Sequence, residues 1–382
     1  MSKDLRWLST KLGRCHSKES VYHTWLPANA RPSERETELA RLVTDEPRKP
    51  YRLEEEPGIR VTVVELERDD HALILMMHHI ICDSSSLGNL WRELGALYQA
   101  ALERQPDQLQ SLAIQYGDYA VWQREATQQA RFNEDIAFWK EKLRDAPSLL
   151  DQPTDRPRPP ITSFRGNKRL FEFEEGLTAN LRRFCREQRV SLFTAFAAAL
   201  NTVMHRYTGK DDILVGIPIA DRERPELRPL IGFLLDTHVL RTDLTGNPKF
   251  RELMTRVQQG VADVYSHRAP PFDRVVAAVQ PVRNMSHSPF FQVMLNWRDR
   301  DDQPQFIGLP GLLTEPLLAH SRISKFDLTL VLTDDGTKIC IEAEYNTDLF
   351  DDSRVERLIG HLRTLMAGAA ANAEQRCRSC HC

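Results

Sequence analysis

The sequence has no long apolar run. No stretch approaches the ~20 consecutive apolar residues that a membrane-spanning helix needs. The N-terminal stretch MSKDLRWLSTKLGRCHSK also lacks the continuous apolar centre of a secretory signal. The sequence also has no large excess of one charge, because its formal net charge is only -3. This charge favours neither nucleic acid nor an anionic membrane as a partner. We therefore predict a cytoplasmic protein that binds neither.

Cysteine is scarce, with 7 residues in a chain of 382. An odd number of widely scattered cysteines favours reduced thiols over a disulfide framework. The last six residues of the chain include four of the types that bind metals, namely Cys377, Cys380, His381 and Cys382. Ligands so close in sequence cannot easily surround one zinc ion tetrahedrally. We therefore predict no metal site, and an unstructured C-terminal tail.

Length and composition indicate an ordinary globular protein. With 41% hydrophobic and 27% charged residues, the chain can bury a sizeable core, and its length favours two domains or lobes. The stretch LLDQPTDRPRPPITSFRGN is rich in proline, which fixes φ and removes hydrogen-bond donors, so it predicts an extended connector. We place the boundary there, with an N-terminal lobe over residues 1–156 and a C-terminal lobe over residues 157–382.

The stretch Leu73 to Leu87, LILMMHHIICDSSSL, concentrates reactive side chains. Its apolar start predicts a buried strand that ends at His78 and His79, and Asp83 follows shortly before a helical pattern. Histidine ordinarily titrates near neutral pH, so it can take a proton from a nucleophile and return it to a leaving group. Because side chains alternate along a strand, only one of the two histidines can face a given pocket. A structural role for both, with Asp83 as a helix N-cap, is the alternative.

The surrounding patterns predict the local structure. Residues 1–45 are predicted to be a loop followed by a helix over Glu34–Val43. Two strands are expected over Ile59–Leu66 and Ala72–Met77, joined by a turn at Arg68–Asp70. The next helix carries an apolar stripe at helical spacing, which we expect to lie in the core: Leu87, Leu90, Trp91, Leu94, Leu97 and Tyr98.

Five ordered motifs resemble those of one family. HHIICDS resembles the motif HHxxxDG, GIPIADR resembles a strand and loop that end in arginine, and IGFLLDTHVLR resembles IGxFVNTxxxR. PFDRVV with SPFFQV, and KFDLTLVL with AEYNTDLF, complete the series. The chain thus resembles the condensation domains of non-ribosomal peptide synthetases, which belong to the chloramphenicol acetyltransferase superfamily. The resemblance covers about residues 50–370 and is far beyond chance.

The resemblance implies a fold and a function. The fold is α/β (α+β), with two chloramphenicol-acetyltransferase-like lobes in a V arrangement and a tunnel between them. The function is formation of an amide between an acyl or peptidyl thioester on an upstream carrier protein and an aminoacyl amine on a downstream carrier protein. The phosphopantetheine arms come from these carriers, no cofactor or metal is bound, and adenylation or polyketide synthase modules are the expected neighbours.

The resemblance also assigns roles to individual residues. His79 matches the second histidine of the motif and is the expected catalytic residue, with His78 supporting it. Asp83 matches the aspartate, which pairs with an arginine in the family, and Arg222 is the expected partner that fixes the histidine loop and ties the lobes together. Ser84 stands in place of the motif's glycine, where it could crowd the pantetheine arm or the backbone. We expect Ser84 and Ser86 to line the substrate tunnel.

Departures from the family pattern leave alternatives open. Asp236 stands where the second-lobe motif has asparagine. The family's two opening motifs are absent from residues 1–45, so the match is expected to start near Pro50 and the first lobe to be incomplete. An inactive truncated remnant that docks carrier proteins is therefore one alternative, and an ester-forming or epimerising relative is another. Heterocyclisation is disfavoured because its DxxxxD pattern is absent from Met77–Ser84.

Overall fold

A computed structural model of the protein describes residues 21–25, 31–281, 284–298, 309–317 and 322–379, with the backbone alone for residues 21–25 and 126–128. The chain forms two compact units, each drawn from separate parts of the sequence. The first contains the described parts of Met1–Asp118, Asp221–Leu234 and Asp301–Ser321, and the second contains those of Tyr119–Ala220, Leu235–Arg300 and Arg322–Cys382. This division by contacts assigns residues 119–156 to the second unit, and the lobe boundary after residue 156 stays a prediction.

The first unit is built on a small sheet. Its elements are β1 (Val21–Trp25), α1 (Pro32–Asp45), β2 (Ile59–Glu67), β3 (Asp70–Met77) and α2 (Ser84–Leu102). β1 runs parallel to β2, and β2 pairs with β3 in antiparallel register. Because strand side chains alternate between faces, Val64, Ala72 and Ile74 share one face and form a buried cluster with Leu42 of α1.

The sequence predicted most of this unit. The hairpin of β2 and β3 and the helix α1 lie where we expected them. The expectation of only a loop and a helix in residues 1–45 is wrong, because β1 pairs with β2 over Val21–Trp25. A strand of five residues offers too short a pattern to be recognised from alternation alone.

Helix α2 differs from the prediction in which face is buried. The large residues of its stripe, such as Leu87, Leu90 and Trp91, are only half-buried. The buried residues of α2 are instead Ser86, Asn89 and Gly95. A polar side chain is buried at low cost only if it is hydrogen-bonded, so this face indicates a polar contact.

The second unit is built on a mixed sheet of six strands. Its helices are α3 (Tyr116–Gln123, whose first residues belong to the first unit), α4 (Ala126–Lys142), α5 (Glu175–Gln188), α6 (Leu192–Thr208), α7 (Phe250–Ser266), α8 (Phe272–Val279) and α9 (Asp352–Ala371). Its strands are β4 (Gly166–Phe173), β5 (Asp212–Ala220), β6 (Leu235–Asp243), β7 (Val293–Arg298), β8 (Leu328–Asp334) and β9 (Ile339–Asn346), in the order β4-β9-β8-β7-β5-β6. β5, β7 and β8 are parallel neighbours, and the other pairs are antiparallel.

Helix α6 lies in the core of the second unit. Every residue from Thr194 to His205 is buried, because the small side chains of this alanine-rich helix let neighbouring elements approach. Ser191 caps its N-terminus by accepting a hydrogen bond from the amide of Thr194 at 3.0 Å. Gly209 ends it with a φ of 69°, a left-handed conformation that favours glycine.

A partly buried ion pair fixes the proline-rich connector. Arg158 donates to both carboxylate oxygens of Asp327, with a distance of 2.9 Å from Nη1 to Oδ1, and Nη1 also donates to the carbonyl of Ser286. Asp327 directly precedes β8. A bidentate contact of this kind sets position as well as energy, so the connector is held against the second unit's sheet.

The C-terminal tail is ordered through residue 379, which corrects the prediction of an unstructured tail. Cys377 is 1% exposed, its amide donates to the carbonyl of Pro248, and Gln375 accepts from the amide of Phe250. Cys380, His381 and Cys382 lie outside the described residues. Within the described ranges, no three histidine, cysteine or acidic side chains are placed to hold a metal ion, and no helix is long and apolar enough to cross a bilayer.

Asp236 on β6 accepts hydrogen bonds from the amide of Thr237 at 2.7 Å and from that of Phe272, the first residue of α8. An acceptor suffices there, so aspartate can replace asparagine. Burial nevertheless raises the pKa of Asp236 to about 6 from 3.8. The charged carboxylate therefore destabilises the fold, by a cost that is absent below about pH 4 and fully present above about pH 6.

We expect Asp236→Asn to raise the free energy of unfolding by about 2–3 kcal/mol near pH 8 and by much less near pH 4, as measured by urea denaturation. Asp335→Asn is the control, and we expect it to lower the free energy of unfolding near pH 8 where Asp236→Asn raises it. Backbone and side-chain hydrogen bonds from Lys338 and Thr337 lower the pKa of Asp335 to about 2, so its charge stabilises the fold above about pH 4. Equal effects of Asp236→Asn at both pH values would contradict this account.

Candidate active site

The two histidines lie on a tight turn of the first unit rather than in a strand. β3 ends at Met77, His78 is the N-cap of a 3-10 turn over His79–Ile81, and Asp83 then caps α2. The alternation argument therefore does not apply to this pair. The turn is attached to the hairpin because the amide of His78 donates to the carbonyl of Gly58 at 2.7 Å.

One hydrogen bond determines which nitrogen of the neutral His79 ring carries the proton. Its Nδ1 lies 2.6 Å from the carbonyl oxygen of Cys82, and a carbonyl can only accept, so Nδ1 must carry the proton. In the neutral ring Nε2 is then the acceptor. The side chain is exposed, and no residue in the described part of the chain hydrogen-bonds Nε2. This imidazole can take a proton from a nucleophile or accept a hydrogen bond from it.

His78 has the opposite arrangement. Its Nδ1 accepts a hydrogen bond from the amide of Ile80 at 3.1 Å, so in the neutral ring the proton is on Nε2. The ring is half-buried and contacts Tyr51 edge to face, with 5.5 Å between centroids. The adjacent histidines thus differ in which nitrogen is basic, and His79 alone of the two offers a free acceptor.

Asp83 lies at the centre of a buried polar cluster. It is 3% exposed, and its Oδ1 accepts from the amide and the hydroxyl of Ser86 at 2.8 and 2.7 Å. Arg222 donates to both carboxylate oxygens, at 2.8 Å from Nη2 and 3.3 Å from Nε. The amide of Leu234 donates to Oδ2 at 3.2 Å. The carboxylate is therefore both a helix cap and half of a buried ion pair.

Arg222 organises the segment from Asp221 to Leu234, which we name the arginine loop. Its side chain is 9% exposed, and Nη1 donates to the carbonyls of Leu227 and Leu230 at 2.9 Å each. The structure thus places Asp83 beside the predicted partner. Both belong to the first unit, and a tie between lobes stays a prediction.

The two serines predicted for the tunnel have different environments. Ser86 is fully buried, and its hydroxyl contacts Asp83, Arg222 and both backbone polar groups of Gly232. This hydroxyl is engaged in hydrogen bonds within the first unit, and a role of Ser86 in the substrate tunnel stays a prediction. Ser84 is exposed and begins α2, so its tunnel role stays a prediction. Because its backbone is helical, this position does not require the positive φ that glycine permits.

Sequence reasoning missed three residues that surround this site. Asn89, one helical turn after Ser86, donates to the carbonyls of Arg228 and Leu230 at 2.7 and 3.2 Å. Phe233 contacts the His79 ring, and Tyr116 donates to the carbonyl of Phe233 at 3.0 Å. The polar pair Ser86 and Asn89 within an apolar helix was the only local signal of these contacts.

Comparison with known proteins confirms the family that the motifs predicted. The family model described as Condensation domain matches residues 16–382. The chain therefore belongs to the condensation domain family. Because the match begins at residue 16, the expectation that the resemblance starts near Pro50 is wrong.

Synthetases are among the similar curated proteins. One component of the linear gramicidin synthase of Brevibacillus parabrevis is 40% identical over 337 residues, which are 88% of this chain and 7% of that protein. The chain thus spans a small part of the length of this relative.

Solved structures confirm the predicted mixed α/β fold of the chloramphenicol acetyltransferase type. The X-domain from teicoplanin biosynthesis matches with a TM-score of 0.85 and 26% identity, covering 94% of this chain and 81% of that one. The first condensation domain of the calcium-dependent antibiotic synthetase, in complex with a substrate analogue, matches with a TM-score of 0.68 and 18% identity, covering 94% of this chain and 77% of that one. At 18% identity, this second match supports similarity of fold only.

Proposed function

We propose that the chain catalyses amide-bond formation between an acyl or peptidyl thioester and an aminoacyl amine, each held on a carrier protein. One observation carries the proposal, namely that His79 is exposed and its Nδ1 donates to the Cys82 carbonyl, which leaves Nε2 as a base. Membership of the condensation domain family and the similarity to a linear gramicidin synthase support the choice of substrates.

The reaction needs only a base and correct positioning. The acceptor amine attacks the thioester carbonyl, a C–N bond forms, the C–S bond breaks, and the proton lost by nitrogen balances the thiolate that leaves. Nε2 of His79 either takes this proton or accepts a hydrogen bond that orients the amine. A thioester is already activated, so the proposal includes no bound cofactor or metal. Upstream and downstream carriers supply the phosphopantetheine arms, and adenylation or polyketide synthase modules are the proposed neighbours.

The neighbouring residues hold His79 in place in this proposal. Asp83, Arg222 and Ser86 fix the start of α2 and the arginine loop on either side of the histidine turn. His78 supports the turn by accepting from the Ile80 amide. None of these four side chains needs to contact the substrate, because the turn they stabilise presents the single base.

Incubation with two loaded carriers tests the proposal. The donor carries an acyl thioester, and the acceptor carries either an amino acid or its hydroxy-acid analogue. We expect an amide product with the amino acid, detected by mass spectrometry of the acceptor arm. Product with the hydroxy acid alone would favour the ester-forming relative, and a change of stereochemistry without coupling would favour epimerisation. Carrier binding without any product, across several donors, would favour the docking remnant.

A further inference from the structure

Phe233 is an exposed aromatic residue with one defined ring contact. Its side chain is 37% exposed, yet its ring meets the imidazole of His79 edge to face, with 5.1 Å between centroids and an interplanar angle of 87°. That arrangement is favourable for two aromatic rings. Part of Phe233 remains in contact with solvent, so burial alone does not explain why its ring lies against the proposed base.

The backbone on both sides of Phe233 is fixed by buried polar groups. The amide of Gly232 donates to the hydroxyl of Ser86 at 3.1 Å, and its carbonyl accepts from the same hydroxyl at 2.8 Å. The amide of Leu234 donates to Asp83. The carbonyl of Phe233 itself accepts from the hydroxyl of Tyr116 at 3.0 Å. Three consecutive residues are thus held by side chains far away in the sequence, while the aromatic ring between them remains exposed.

Tyr116 fits this position because residue 232 has no side chain. A Cβ atom at Gly232 would stand 2.2 Å from Cδ2 of Tyr116, which is far inside the contact distance of two carbon atoms. Glycine therefore lets the Tyr116 ring lie against the loop backbone, where its hydroxyl reaches the carbonyl of the next residue.

We propose that Phe233 is a positioning residue for His79, and that Tyr116 anchors Phe233. Rotation of the imidazole about its Cβ–Cγ bond would break the hydrogen bond from Nδ1 to the Cys82 carbonyl and turn Nε2 away. The edge-to-face contact with Phe233 opposes this rotation and keeps Nε2 aimed in one direction. The inference rests on the proposed function, because the aim of Nε2 affects a rate only if His79 acts on the substrate.

Single-turnover coupling of Phe233 variants tests the role. We expect Phe233→Leu to lower the rate about tenfold, with little change in carrier binding and an unchanged melting temperature. Phe233→Tyr, which keeps the ring, should stay near the wild-type rate. Tyr116→Phe, which keeps its own ring and removes the hydrogen bond to the carbonyl, should give a loss of about threefold. Phe164→Leu is the matched control, because Phe164 is also exposed and lies in the second unit.

A measurement without substrates separates this inference from the proposed function. In nitrogen-15 spectra of labelled histidine, assigned to His79 by comparison with His79→Gln, wild type should show one tautomer protonated at Nδ1. Phe233→Leu should show averaging of both tautomers, and Phe233→Tyr should not. Identical His79 signals in wild type and Phe233→Leu would overturn the positioning role. Spectra that differ as expected, in a chain that forms no product, would retain it and reject the proposed function.

Discussion

Arg222→Met is expected to lower the free energy of unfolding of the first unit by about 3–5 kcal/mol. The substitution keeps a side chain of similar length and removes the only charge that compensates the buried carboxylate of Asp83 among the contacts described for it. It also removes the donors to the carbonyls of Leu227 and Leu230. Hydrogen exchange of peptides from α2 and the arginine loop measures the loss where it arises.

Arg224→Met is the matched control for this prediction. Arg224 lies in the same loop but is exposed, and ion pairs of exposed side chains contribute only about 0–1 kcal/mol. The double variant Asp83→Asn with Arg222→Met should recover part of the stability, because no unpaired charge remains buried. If Arg222→Met opens the loop no more than Arg224→Met does, then the buried pair is not what holds it.

The elements of the fold were predictable where local pattern is strong. The hairpin of β2 and β3 is rich in β-branched and aliphatic residues and is closed by a polar turn, and helix α6 begins with a run of small and apolar residues. Local propensity and burial agree in both cases, which is the condition under which sequence alone determines an element. The short strand β1 and the ordered tail at Cys377 depend on pairing with distant residues, so no local signal marked them.

The site was predictable only in part, and for the same reason. The motif and the family resemblance indicated His79 and paired Asp83 with Arg222, although 139 positions separate the two in sequence. The hydrogen bonds of Ser86 were not predicted, because its partner Gly232 lies 146 positions away. The contact of Phe233 with His79 follows from the path of the arginine loop in three dimensions, and neither residue type nor spacing indicates that path.

His79→Ala is expected to lower the single-turnover rate of amide formation by a factor of about 10²–10⁴, the usual contribution of a general acid or base. The physical reason is the loss of Nε2, which is the acceptor nitrogen in the neutral ring because Nδ1 donates to the carbonyl of Cys82. His79 is exposed, and its removal leaves only the carbonyl of Cys82 without a hydrogen-bond donor. The melting temperature should therefore change little.

His78→Ala is the matched control for the activity of His79→Ala. It removes a neighbouring imidazole whose Nδ1 is occupied by the Ile80 amide and whose ring packs on Tyr51. We expect a modest loss of stability, because an amide of the turn loses its partner, and a rate within about tenfold of wild type. Equal losses in the two variants would show that the turn as a whole matters and that His79 has no separate chemical role.

The central claim is that this chain forms an amide through one exposed histidine. The measurement that tests it most directly is single-turnover coupling of a loaded donor and acceptor carrier by wild type and by His79→Ala, at equal protein concentration and with folding checked by circular dichroism. The account predicts amide product with wild type and at least about a hundredfold slower product with the variant. Equal rates in two folded proteins would contradict the claim.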